Sequence, residues 1–242
     1  MANNGVKFEQ QIVECYRRRN FEKHTPEVVA ATRMLIEKFS NAKIVHRDEI
    51  KLKGLGREVK ADFWMVIETE QWIGISVKMD GQVQLSSAEG KKTAEIFDQV
   101  SKSLQPEQRT QLQRLIEPIR TLPRTMVAEK NRPKAKSRKP HLISEALNYD
   151  VWKEQSRPEI NTQVREVFQD RQIREAVVEE MLTGRKQFAG TVGVAEYILT
   201  PKYFKYVSKK YVQSISEYVK IDVRGKSRAG ISSGVVRFDS KI

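Results

Sequence analysis

At 242 residues the chain has room for one large domain, or for a domain carrying a substantial insertion. Lys and Arg outnumber Asp and Glu by 44 to 31, a net charge of +13, which favours a polyanionic partner; nucleic acid, an anionic membrane and an acidic protein all fit that description. No apolar run approaches the roughly 18 residues of a spanning helix, no leader is visible, and the single cysteine, Cys15, suits a reducing cytoplasm. Three histidines and no cysteine pair argue against a zinc site.

Beyond a short lead, Gly5 to Arg19 has helical spacing, with Phe8, Ile12, Val13 and Tyr16 as its apolar stripe. At about 100° per residue Glu9 falls inside that stripe, whereas Glu14 faces solvent. A second helix is predicted from Pro26 to Phe39, with Thr25 as its N-cap, and Ile44-Val45-His46 begins a strand. The Gly54-Leu55-Gly56 turn leads into two apolar runs, Ala61 to Ile67 and Trp72 to Met79. Their connection, Glu68 to Gln71, makes the pair a predicted β-hairpin. Alternation places Asp62, Trp64 and Val66 on one face, and groups Trp72, Gly74, Ser76 and Lys78 likewise. Asp62 and Lys78 are thus charges within apolar strands, where unpaired burial is expensive.

A helix is predicted from Ser86 to Leu104, with Ile96, Phe97, Val100 and Leu104 turned inward. Glu89 projects to that inner side and Glu95 away from it; Ser86-x-x-Glu89 also has the form of a capping box. A short helix from Glu107 to Ile119 follows. Lys130, Arg132, Lys134, Lys136, Arg138 and Lys139 then form a run without an acid, which predicts an exposed loop or disordered segment contacting DNA phosphates, or a solvated linker. Residues 144 to 182 are predicted helical, stopped by Gly184, with a shorter helix from Val192 to Leu199. Tyr203 to Tyr211 interleaves aromatics with lysines, a pattern that suits core tyrosines with wet lysines. Tyr218 to Val223 and Val235 to Phe238 are predicted strands around a glycine-bearing loop. Arg224, Lys226 and Arg228 in that loop are candidates to reach a DNA groove.

Glu9 within Gly5-Val6-Lys7-Phe8-Glu9, Asp62, and Ser76-Val77-Lys78 together resemble the PD-(D/E)XK nuclease superfamily, which includes restriction endonucleases, archaeal Holliday-junction resolvases and phage exonucleases. In that superfamily a helix bearing Gly-x-x-Phe-Glu precedes a strand with the Asp, and the next strand carries (Asp/Glu)-x-Lys. Here Ser76 stands where an acid is expected. One subgroup of restriction enzymes has Ser-x-Lys there and draws the missing acid from the following helix, which points to Glu89.

The resemblance covers roughly residues 5 to 100 and implies an α/β fold: a restriction-endonuclease-like mixed central sheet flanked by helices, with a helical and β C-terminal elaboration. The corresponding division is 1–104 as nuclease core, 105–141 as basic insertion or linker, and 142–242 as the elaboration, packed on the core and DNA-binding. It also implies a DNA endonuclease dependent on Mg²⁺, with Mn²⁺ as a substitute. Asp62, Glu89 and Glu9 would be the metal ligands, Lys78 would orient or activate the attacking water, and Ser76 would hold a water or the phosphate. Many enzymes of this kind dimerise to cut both strands, so a homodimer is a further expectation. A Holliday-junction or other structure-selective nuclease, and an inactive DNA-binding protein on a nuclease fold, stand as alternatives.

Overall fold

The computed structural model describes residues 4–50, 59–68, 71–79, 82–228 and 230–241. Helices α1 (Asn4–Arg18) and α2 (Pro26–Lys38) precede an antiparallel run of three strands, β1 (Lys43–His46), β2 (Phe63–Val66) and β3 (Trp72–Val77). Strand β4 (Gln82–Glu89) continues directly into α3 (Gly90–Ser101), followed by α4 (Pro106–Gln113), α5 (Ile116–Arg120), β5 (Met126–Val127) and α6 (Arg132–Arg138). Next come β6 (Leu147–Asn148), α7 (Tyr149–Glu154), α8 (Ser156–Val167) and α9 (Arg171–Thr183). The last elements are β7 (Tyr197–Leu199), β8 (Phe204–Tyr206), α10 (Lys209–Ser216), β9 (Lys220–Arg228) and β10 (Ile231–Lys241).

Among the described residues these elements build two sheets flanked by helices, a mixed α/β architecture without a barrel. The chain forms two compact units, each gathered from separate segments: 1–83, 179–215 and 241–242 in the first, 84–178 and 216–240 in the second. No helix among the described residues is long and apolar enough to cross a membrane.

The first unit's sheet has the order β1-β2-β3-β7-β8, antiparallel throughout except for the parallel pair β3 and β7. Alternation sends Phe63, Met65, Ile73, Ile75 and Val77 into a core with Ile12 and Cys15 of α1 and Val28 and Leu35 of α2. The opposite face of the hairpin is covered as well. Trp64 Nε1 donates to the Val192 carbonyl at 2.6 Å. Beside it a Cβ on Gly74 would lie 1.9 Å from the Val194 oxygen, so only glycine lets this segment rest on the sheet. Cover on both faces explains why these runs are almost uninterruptedly apolar.

In the second unit the order is β4-β10-β5-β6, with β9 paired to β10. Its core gathers Phe97 against Phe168 and Phe238, with Leu112, Leu115 and Ile119 fully buried.

Several expected elements change here. The helix predicted from Ser86 begins at Gly90, because strand pairing carries β4 through to Glu89; no capping box forms on residues that sit in a strand. The helix expected at Val192 to Leu199 is replaced by β7, whose Tyr197, Ile198 and Leu199 pair with β3. The long helical stretch to 182 divides into α7, α8 and α9 after the short β6; Asp170 starts α9 by accepting from the Gln172 and Ile173 amides. Likewise the Glu107–Ile119 helix breaks into α4 and α5. The basic run is neither loop nor disordered: it contains α6, anchored by Ala135 among Val127 and Ile143. Arg224, Lys226 and Arg228 lie in β9 rather than a loop, because the last hairpin extends to its turn at Gly230. The Gly54-Leu55-Gly56 turn lies outside the described residues.

Candidate active site

Asp62 sits one residue ahead of β2, its amide donating to the Ile75 carbonyl at 2.8 Å and so continuing the β2–β3 ladder. That register sets it across from Ser76. Asp62 Oδ2 accepts from Ser76 Oγ at 3.1 Å and from the Val77 amide at 2.7 Å. The serine that replaces an expected acid therefore orients the aspartate. With this oxygen held, Oδ1 is left for Arg47 Nη1 at 3.1 Å.

Arg47 follows β1, and its Nη2 reaches Glu9 Oε2 at 3.3 Å. One guanidinium thus joins the carboxylate of the first helix to that of the hairpin. Both acids are nearly sealed, Glu9 at 8% and Asp62 at 7% exposure. Burial, reinforced by the Asp62 carboxylate, pushes the Glu9 carboxyl up to about 7 against the opposing pull of Arg47 and Lys78. Two carboxylates thus share one arginine in a confined place, with burial and their mutual repulsion outweighing the nearby cations at Glu9.

Lys78 leaves the end of β3 half-buried, its backbone amide bonded to the Leu199 carbonyl at 2.8 Å. Its ammonium acts on both Glu9 and Lys60. Lys60 is partly buried, with Cγ lying where a Cβ on Gly184 (φ +66) would stand 2.7 Å away. Burial brings its amine down to about 8; Lys78 adds to the fall, while Glu180 and Asp62 resist it. Glu180, 2% exposed on α9, receives the Lys186 and Gln187 amides at 2.8 and 3.0 Å and so shapes the following turn. Next to Arg47, His46 is buried, with Nδ1 accepting from the Asp48 amide; burial lowers its pKa.

The structure thus gathers Glu9, Asp62, Ser76 and Lys78 in the first unit. Glu89 is an exposed residue at the end of β4, in the second unit, and its side chain makes no cap bond to α3. Among the described residues no group of three or more His, Cys, Asp or Glu side chains is placed to hold a metal ion. Arg47, Lys60 and Glu180 are neighbours of the site that sequence reasoning passed over. Only the shared strand parity of Lys60 and Asp62 hinted at any of them.

The remaining candidates lie in the second unit. Lys130, Lys134, Lys136, Arg138, Lys139 and Lys226 are exposed. Arg224, in the same strand as Lys226, pairs with Asp222 at 2.6 Å and Asp239 at 3.7 Å. No family model, curated protein or solved structure matches the chain.

Proposed function

We propose that the protein is a metal-dependent DNA endonuclease of the PD-(D/E)XK kind, with a restriction-endonuclease-like core in its first unit. The observation that carries this reading is the crowding of Glu9 against Asp62 beside the Lys78 amine. The succession of acidic helix, aspartate strand and lysine strand, within a mixed sheet, supports it.

The donor set fits a divalent cation. Mg²⁺ is commonly held by one or two carboxylates, with waters and substrate phosphate oxygens completing its shell. A carboxyl raised to about 7 by burial and a neighbouring carboxylate marks a place where added positive charge is favourable. Asp62 and Glu9 would hold the ion, which when bound supplies charge neutralisation and a nucleophilic water at neutral pH.

The chain's own groups do the rest. Ser76 and the Val77 amide fix the Asp62 carboxylate through Oδ2, so Oδ1 would face the ion where Arg47 gives way to it. Lys78 positions the attacking water and donates to the phosphate oxygen on which negative charge grows. Lys60, lowered by burial to about 8 and so still mainly an ammonium at neutral pH, adds a second donor beside Lys78. Water oxygen bonds to phosphorus as the phosphorus–oxygen ester bond breaks; the attacking water gives up one proton to solvent, and the leaving alkoxide takes one from solvent.

Linear duplex, a four-way junction and single-stranded DNA, each incubated with and without Mg²⁺, test the proposal. Asp62→Asn and Lys78→Ala should each lose Mg²⁺-dependent cleavage by at least about 100-fold while DNA binding persists. Undiminished cleavage in either variant overturns the assignment. Junction-selective cutting would shift it to a structure-selective nuclease.

One observation favours a second reading, a DNA-binding protein without hydrolytic activity. Arg47 already spans both carboxylates as a built-in counter-cation. In that case Mg²⁺ leaves the melting temperature unchanged and all three substrates stay intact.

A further inference from the structure

Two basic segments almost a hundred residues apart in sequence are neighbours within the second unit. Strand β10 pairs with β5 through Ile231 opposite Val127 and Ser232 opposite Met126, which brings the β9–β10 turn against the chain entering α6. Ile231 packs on the cluster of Val127, Ala135 and Ile143. At the turn, a Cβ on Gly230 (φ +85) would stand 3.5 Å from Asn131 Cβ. Ala135 anchors α6 in this cluster, so the charged positions on either side of it are displayed outward. Lys134, Lys136, Arg138 and Lys139 are exposed, as are Lys130 ahead of the helix and Lys226 near the end of β9. Among the described residues none of these six cations is ion-paired with an acid. Arg132 alone in α6 has such a neighbour, Glu129 at 3.7 Å.

We propose that α6 and the turn end of the β9–β10 hairpin form one composite surface that binds the phosphate backbone of duplex DNA irrespective of its sequence. The surface lies wholly in the second unit and does not depend on the hydrolytic reading of the first. Like charges brought together by the fold and not themselves paired with acids repel until a polyanion neutralises them. Duplex DNA offers about one negative charge per 1.7 Å of axis, a density that a short helix and an adjoining strand end can meet. An anionic membrane offers charge too. Stable interfacial helices also bury an apolar face, whereas α6 has only Ala135 besides its proline, and Ala135 is already buried.

The decisive measurement is fluorescence anisotropy of the full chain on two unrelated duplexes across a salt series, in EDTA so that nothing is cut. It compares wild type with Lys134→Gln/Lys136→Gln/Arg138→Gln/Lys139→Gln, with Lys226→Gln, and with both together. Circular dichroism checks that the variants remain folded, which their exposed side chains favour. The helix variant should bind both duplexes more weakly by the same factor, its log–log salt slope shallower by about 0.9 for each contact removed. Lys226→Gln should flatten the slope by a further step of the same kind, alone and on the helix background. Unchanged affinity and slope in the helix variant overturns the proposal. A silent Lys226→Gln overturns its composite form. Binding to phosphatidylserine vesicles with none to duplex overturns the choice of partner. Because no divalent ion is present, a failure of the cleavage assays leaves this result untouched, and the converse also holds.

Discussion

The β2–β3 and β9–β10 hairpins handle charge in opposite ways. On β9–β10 the acids and arginines answer one another: Asp222 stands across from Arg237, Arg224 bonds Asp222, and Arg237 reaches Asp239 at 2.8 Å. These side chains are mostly part-exposed, and the ladder balances locally. At β2–β3 the acid is almost sealed, a second acid is brought to it from α1, and one arginine serves both. Balanced surface pairs contribute little and mark nothing in particular. A sealed, crowded cluster is an expense that ordinary packing would avoid, which is why it marks a candidate site.

The contrast can be broken most severely at Asp62. Asp62→Ala leaves Arg47 with Glu9 alone, orphans the Val77 amide and leaves Ser76 without its acceptor, so urea unfolding should show a loss of about 3–5 kcal/mol. A loss below about 1 kcal/mol would place the residue with the surface ladder instead. Gly74→Ala attacks the same hairpin from its covered face. Its new methyl would meet the Val194 oxygen at 1.9 Å, and the strain should cost about 1–3 kcal/mol.

A subtler change sharpens the comparison through pH. Glu9 holds a proton more readily in the fold than in the unfolded chain, so it weakens stability as pH rises from the usual carboxylate range through about 7, and adds no such penalty at lower pH. Glu9→Gln should therefore gain on wild type at pH 8 and lose that advantage by pH 4. A reversed trend in paired denaturant melts would show the arginine outweighing burial. The smallest effect belongs to the balanced hairpin. Arg224→Ala should move stability by less than about 1 kcal/mol, and the change should shrink in high salt.

What the sequence disclosed follows from the range of each signal. Period and parity are local, so α1, α2, the β2–β3 hairpin and the inward turn of Glu9 were legible from spacing alone. Partners remote in sequence were not. Glu89 looked helical because a Ser-x-x-Glu pattern precedes an apolar stripe, yet pairing in the sheet drew that segment into β4. Tyr197 to Leu199 became a strand for a similar reason, the open side of β3. The run around Lys134 was too charged to suggest structure. One alanine fitting a small cluster is a signal that composition averages away. Arg47 gave no warning at all, since one arginine among 44 basic residues stands out only once its two partners are in place.

The parallel pairing of Ser76 with Ile198 has a consequence for biosynthesis. As the polypeptide leaves the ribosome, the strand that ends at Val77 must wait for a complement more than a hundred residues downstream. Until then its outer rim offers unsatisfied amides and carbonyls to any passing chain. A nascent product halted before Tyr197 should aggregate, and the carboxylate pocket would reach its mature form only once that downstream segment has emerged.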